Sequence, residues 1–215
     1  MNFCLNRDTK LHYVREPVFD KKKIPIEGVY MQCLNPSEFM AVCPRFSDDF
    51  SKLMYFGAKD KFISHCGNYQ LRYLKWPPTS ENECQDSELV VDKFKAYPTE
   101  QDEFAGIFGY NQSLISYNFI GSSNRFAVIE SPFKAQGRVY IVDLESKKVK
   151  WLNFLGKEDV MHGDYELQRL YKDTAIVRFS AQDTPTQIYS ITFNGDGKWD
   201  SIEEVQKGIS VKLLE

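Results

Sequence analysis

No G-x-S-x-G segment occurs in this chain of 215 residues, and that pattern is how a serine nucleophile is presented on a strained strand-to-helix turn. Gly121-Ser122-Ser123-Asn124 comes nearest, but it lacks the second glycine and reads as a polar turn ahead of a strand. There is no glycine-rich phosphate loop either. Close cysteine pairs are missing: Cys4, Cys33, Cys43, Cys66 and Cys84 are widely spaced and odd in number, which suits reduced thiols acting as small hydrophobes. The nearest approach to a metal-ligating set, His65-Cys66 with Cys84, lacks the close pairing that zinc sites use. His12, His65 and His162 are isolated from one another and read as solvated or capping side chains. The carboxylate pairs Asp48-Asp49, Asp102-Glu103 and Glu203-Glu204 are not spaced for general acid and base work. The first of them suits a turn whose backbone amides it satisfies. No catalytic, cofactor-binding or metal-binding residue is therefore expected.

A basic stripe is also missing. The chain has 27 Lys and Arg against 30 Asp and Glu, a net charge of −3, and its one basic run, Lys21 to Lys23, reads as a solvated strand end. Nucleic acid is not an expected partner. The opening MNFCLNRDTK has no apolar segment after a basic start, and no apolar run approaches a membrane span. The expected setting is the cytosol, with no membrane partner.

What the chain does have is aromatic weight, 16 Phe and 12 Tyr, with few alanines, a bias toward strands over helices. Residues 1–30 read as a turn and two strands, Leu11-His12-Tyr13-Val14 and Lys23-Ile24-Pro25-Ile26, the latter at an edge because Pro25 cannot donate to a ladder. So abrupt a start is expected of a chain cut from a longer one. Phe39 to Val42 is a short strand. Then Ser47-Asp48-Asp49 marks a turn, Leu53 to Phe56 an apolar strand and Gln70 to Leu74 an alternating one, the inner half of a four-stranded antiparallel unit. The polar stretch after Trp76 is a loop, and strand character returns in LVVDKFKAY from Leu89. In Phe104 to Tyr110, Gly106 and Gly109 flank bulky residues, which suits a backbone making a close approach.

The pattern then recurs. Ser116 to Ile120, the turn Gly121 to Asn124, Arg125 to Ser131, a loop with Pro132 and Gly137, Val139 to Leu144, the turn Glu145 to Lys148 and Val149 to Leu152 make a second unit. Tyr165 to Leu170, the turn at Tyr171-Lys172-Asp173, Thr174 to Ser180, a loop through Pro185 and Gln187 to Phe193 make a third. The Gly195 to Trp199 segment reads as a turn, and Ser201 to Val205 as either a short helix or a strand. The aligned turns at Asp48, Ser123 and Lys172 are separated by roughly 75 and 50 residues, the longer gap containing the Pro77 to Glu103 loop, and propeller blades repeat at about 40 to 50. The fold expected is all-β: an incomplete β-propeller of about three four-stranded antiparallel blades plus part of a preceding one. Residues 1–30 would end one blade, 31–103 form a blade with a long loop at 77–88, 104–155 another, and 156–215 the last with an exit segment. A β-sandwich has the same strand count, and strand order separates the two: meander pairing marks a propeller and Greek-key crossing a sandwich.

Several segments, in collinear order over nearly the whole chain, carry a family likeness: Phe3-Cys4-Leu5-Asn6-Arg7 with Leu11-His12-Tyr13-Val14; Pro44-Arg45-Phe46-Ser47 with Asp49 and Tyr55; His65, Gln70-Leu71 and Trp76; Phe104 to Phe108; and Ala175 to Ser180 with Thr184-Pro185. Here the chain resembles the propeller domain of the acylaminoacyl-peptidases, or acylamino-acid-releasing enzymes, of the prolyl oligopeptidase family. The resemblance implies a parent serine peptidase that releases N-acylated amino acids from short blocked peptides. In such a parent the propeller screens substrates, and a following α/β-hydrolase domain, absent here, carries the Ser, Asp and His. It implies as partners that hydrolase domain, the remaining blades, N-acylated peptides and a second copy of the full-length enzyme. The chain alone is then expected to be inactive. The competing functional reading is a stand-alone β-propeller that binds a protein partner. With about three blades the ring cannot close, so marginal solubility or association of the chain is also expected.

Overall fold

The computed structural model describes residues 10–14, 31–34, 37–38, 40–58, 68–77, 87–93, 104–108, 118–134, 136–155, 163–195 and 199–214. Strand β1 (His12–Val14) pairs with β2 (Met31–Cys33). A first four-stranded sheet follows, of β3 (Met40–Phe46), β4 (Lys52–Ala58), β5 (Gln70–Lys75) and β6 (Glu88–Val91). The second holds β7 (Phe119–Ile120), β8 (Phe126–Phe133), β9 (Gln136–Asp143) and β10 (Val149–Trp151). The third holds β11 (Gly163–Tyr171), β12 (Thr174–Ala181), β13 (Gln187–Phe193) and β14 (Ile209–Leu214). In each four-stranded sheet the spatial order is the chain order, and every pairing is antiparallel. That is the meander of a propeller blade, and no Greek-key crossing occurs among the described strands. The chain is an incomplete β-propeller.

The sheets are stacked face to face, because successive side chains on a strand point to opposite faces. On β4, Leu53 and Tyr55 pack with Leu34, Ala41 and Leu74 on the side of β1 and β2, while Met54 and Phe56 face the second sheet. On β8 and β9 the split repeats. Ala127, Ile129, Tyr140 and Val142 meet the first sheet, and Phe126, Val128, Val139 and Ile141 meet the third. Strands buried on both faces must be apolar throughout, which is why Phe126 to Ile129 and Val139 to Val142 contain no polar residue except the Tyr140 hydroxyl. Ile107 bridges to Tyr69, whose N–H donates to the Ile107 carbonyl at 2.9 Å. Gly106 beside it has φ of +114°, the close backbone approach that its lack of a Cβ permits.

Two local expectations are corrected, and the segment from Ser201 to Val205 takes the helical one of its two alternatives. Pro132 and Gly137 are not in a loop: they lie opposite each other in the β8–β9 ladder, and the reversal is confined to the residues around Lys134. Gly137 is needed there because a Cβ would come within 2.9 Å of the Tyr165 carbonyl oxygen of the third sheet. Cys43 to Phe46 belong to β3, where Cys43 has φ of +55° at a break in register between Val42 and Arg45. Pro44 is tolerated because that bulge lies on an edge strand. Beyond Phe193 the chain forms α1 (Ile202–Lys207), started by Ser201, whose hydroxyl accepts from the Glu204 N–H, and then β14, a strand the sequence pattern did not single out. The strand expected over Lys23 to Ile26 lies outside the described residues.

Candidate functional site

The three turns that mark the sequence repeat are the first hairpin of each four-stranded sheet, and the stacking sets them in a row at one end of the molecule. In the β3–β4 turn, Ser47 is buried and donates to Asp49 Oδ1 at 2.7 Å, and that oxygen also accepts from the Ser51 N–H at 2.9 Å. Burial would raise the Asp49 carboxyl, but these hydrogen bonds outweigh it and hold the group at about 2. Lys52 of this hairpin donates to the Asn124 carbonyl at 2.8 Å, in the β7–β8 turn. Asp173, in the β11–β12 turn, accepts from the Gly121 N–H at 2.7 Å in that same middle turn. Each blade thus latches to the next through its turn. The middle turn is braced from within its own sheet, where Arg125 donates to both oxygens of Asp143 at 2.9 and 2.7 Å. Burial raises Asp143 as well, yet Arg125, Ser146 and the backbone N–H groups of Glu145 and Ser146 bring it down to about 2.

A second polar constellation is enclosed between the first sheet and β1–β2. Glu38, 2% exposed, accepts from the Tyr55 hydroxyl at 2.8 Å and the Ser87 hydroxyl at 2.5 Å, and lies 3.3 Å from the Arg72 guanidinium. Lys10 donates to the Glu38 carbonyl. Arg72 also donates to Gln70 at 3.0 Å and to the Ser87 hydroxyl at 2.9 Å, and Gln70 passes the chain on to Asp92 at 2.8 Å. Gly57 makes room for this pair: a Cβ there would stand 3.1 Å from Glu38 Oε2 and 3.2 Å from Arg72 Cδ. Burial carries the Tyr55 phenol well above its ordinary value, so it stays a donor to Glu38. This buried, multiply bonded ion pair ties the segment before β3 to β4 and β5 of the same sheet. Both hydroxyls converge on Glu38 Oε1, while Glu38 Oε2 is buried without a hydrogen-bond partner.

The model of one protein family, the acylamino-acid-releasing enzyme N-terminal domain, matches residues 1–209. The chain belongs to that family. A search of curated proteins finds no match. Among solved structures, TolB from Acinetobacter baumannii is similar at 14% identity with a TM-score of 0.40, over 74% of this chain and 31% of that one. The chain thus spans about a third of the solved structure it matches.

In this acylamino-acid-releasing enzyme N-terminal domain, Ser122 and Ser123 are exposed in the middle turn, the Ser123 hydroxyl accepting from the Arg125 N–H at 3.3 Å. Asp49 serves its own turn. Glu204 accepts from the Asp200 N–H at the start of α1. His12 is exposed on β1. His65, His162, Cys66, Cys84 and the Asp102-Glu103 pair lie outside the described residues. Among the described residues no three His, Cys, Asp or Glu side chains converge as a metal site. The Glu38–Arg72 constellation was not foreseen, because its members come from five separated segments. Two in-strand polar residues, Gln70 and Arg72, were its one signal: they alternate with the core residues Leu71 and Tyr73, so the face they share had to be either solvent or a paired polar layer.

Proposed function

We propose that the chain is the propeller portion of a serine peptidase that releases N-acylated amino acids from short blocked peptides, acting as a substrate-screening scaffold and carrying none of the catalytic residues. The observation that carries this reading is the family match, which covers residues 1–209. The stacked blades and the hydrogen bonds that latch their turns to one another suit a wall and support it. The partners on this reading are an α/β-hydrolase domain, further blades and a second copy of the whole enzyme, in the cytosol. Two measurements test it. The reading frame beyond Glu215 is expected to encode a G-x-S-x-G segment with a later Asp and His; a stop codon with no such frame adjacent would favour a stand-alone interaction module. The 215-residue chain is expected to leave an acetyl-alanyl chromogenic amide uncleaved, and turnover blocked by a fluorophosphonate would overturn the assignment of chemistry to another domain.

A further inference from the structure

β14 ends the third sheet, and among the described residues no strand pairs with its other side. The ladder determines which of its backbone groups face that open side, because antiparallel bonding alternates from residue to residue. The Phe193 N–H donates back to the Asp173 carbonyl at 2.8 Å, on the β12 side, and the Asn194 N–H donates forward to the Gly208 carbonyl at 3.0 Å. The β13–β14 register is unbroken, with Phe193 opposite Ile209 and Ile191 opposite Val211. Ser210, Lys212 and Leu214 therefore bond to β13. Ile209, Val211 and Leu213 turn their N–H and C=O groups outward, which makes an unused hydrogen-bonding edge.

Other free edges of the molecule are blunted. β6 and β10 end their sheets with four and three residues, and β11 carries Asp164, Glu166 and Arg169 along its length. Short length and charge are how native edges avoid pairing. β14 has six residues and one charge, Lys212. Of the seven large apolar side chains exposed among the described residues, four lie here: Ile188 on β13, and Val211, Leu213 and Leu214 on β14. Such an edge fits a strand whose outward groups have the same spacing and whose apolar residues alternate. β14 is itself that strand. Laid antiparallel about a two-fold axis at Val211, two copies set Val211 against Val211 and Leu213 against Ile209, all outward-bonding positions with their apolar side chains on one face. On the other face Lys212 meets Ser210. Centring the pair on Lys212 instead would put two lysines directly opposite each other, which their like charge disfavours.

We propose that two copies of this chain pair through β14, antiparallel about Val211, joining two four-stranded sheets into one of eight. The contact is isologous and closes at the dimer. It uses the strand's edge rather than a sheet face, so it does not depend on the proposed peptidase role. Sedimentation velocity of the 215-residue chain should show a monomer–dimer equilibrium with a midpoint on the order of 10–100 μM. Val211→Pro removes an outward N–H and leaves the β13 ladder intact, and should weaken the dimer about tenfold or more. Leu213→Lys adds a charge at an exposed edge position and should weaken it about as much. This second variant decides should Val211→Pro fail to fold, as judged by circular dichroism. Ser210→Glu brings a carboxylate opposite the second copy's Lys212 and should tighten the dimer about twofold or more. A monomer at all concentrations up to about 1 mM, assemblies that grow past the dimer, a dimer indifferent to the edge variants, or one that Ser210→Glu weakens would overturn the proposal.

Discussion

The second and third sheets have the same four-stranded meander and differ in what covers them. β8 and β9 have neighbours on both faces, and from Phe126 to Ile129 and Val139 to Val142 every residue is buried. β12, with the second sheet on one side, alternates: Ala175, Val177 and Phe179 are buried, whereas Ile176 is half-buried and Arg178 exposed. On β13, Tyr189, Ile191 and Phe193 face inward and Ile188 stands 43% exposed. Identical backbone pairing thus tolerates two sequence codes, and the code reports the number of layers rather than the fold of the layer.

The comparison breaks first at paired isoleucines. Ile141→Ala in the covered sheet removes a fully buried side chain between two layers and should cost about 2–5 kcal/mol. Ile188→Ala on the open face of the third sheet should change stability by no more than about 0.5 kcal/mol. Urea denaturation of both variants measures the difference. Equal losses would mean that something covers the outer face of the third sheet in solution.

The same contrast explains how much could be read beforehand. Strands with a plain code, β4, β5, β9 and β12, were legible from apolar runs or strict alternation, and the three hairpin turns were legible from their polar residues. β14 was not, since five of its six residues are exposed and Ser210 and Lys212 interrupt its apolar positions; its register comes from pairing with β13. Pro132 and Gly137 misled in the other direction. Both are turn-formers by type, yet they face each other in the β8–β9 ladder, Gly137 where a Cβ would meet the Tyr165 carbonyl. The Glu38 cluster was out of reach for a related reason: Glu38, Tyr55, Arg72 and Ser87 are far apart in sequence and meet only when the first sheet pairs its strands.

A smaller effect is expected inside the third sheet, between β11 and β12. Gly163 opens β11, and a Cβ there would fall 2.0 Å from the Phe179 ring within the third sheet. Gly163→Ala should therefore destabilise by about 1–3 kcal/mol, as overpacking does. A Gly163→Ala, Phe179→Leu double variant should recover part of the loss. Additive losses in denaturation would show that the ring is not the obstacle.

Acid should act through the turns of the first and second sheets. Asp49 and Asp143 are held at about 2 in the folded chain against an ordinary 3.8. A depressed carboxyl contributes stability above its unfolded value and loses it as pH falls through the folded one. Stability should thus be constant in this respect above pH 3.8 and decline toward about pH 2. Asp143→Asn is neutral throughout, so its variant should start less stable and show a shallower decline. An unchanged slope in acid titration of the melting temperature would remove Asp143 from the account.

The smallest effect belongs to the open face of the third sheet. Glu166 and Arg178 sit directly opposite on β11 and β12 and form an ion pair there, with side chains 44% and 46% exposed. Water screens both partners, and holding two long side chains in one geometry costs rotamer entropy. A double-mutant cycle with Glu166→Gln and Arg178→Met should yield a coupling of about 0–1 kcal/mol that shrinks with added salt. The corresponding pair in the second sheet, Arg125 with Asp143, joins through two hydrogen bonds to a carboxylate that is itself buried. Its cycle should give the larger and less salt-sensitive coupling. If the two couplings were equal, the number of layers around a sheet would govern its apolar side chains alone and not its charges.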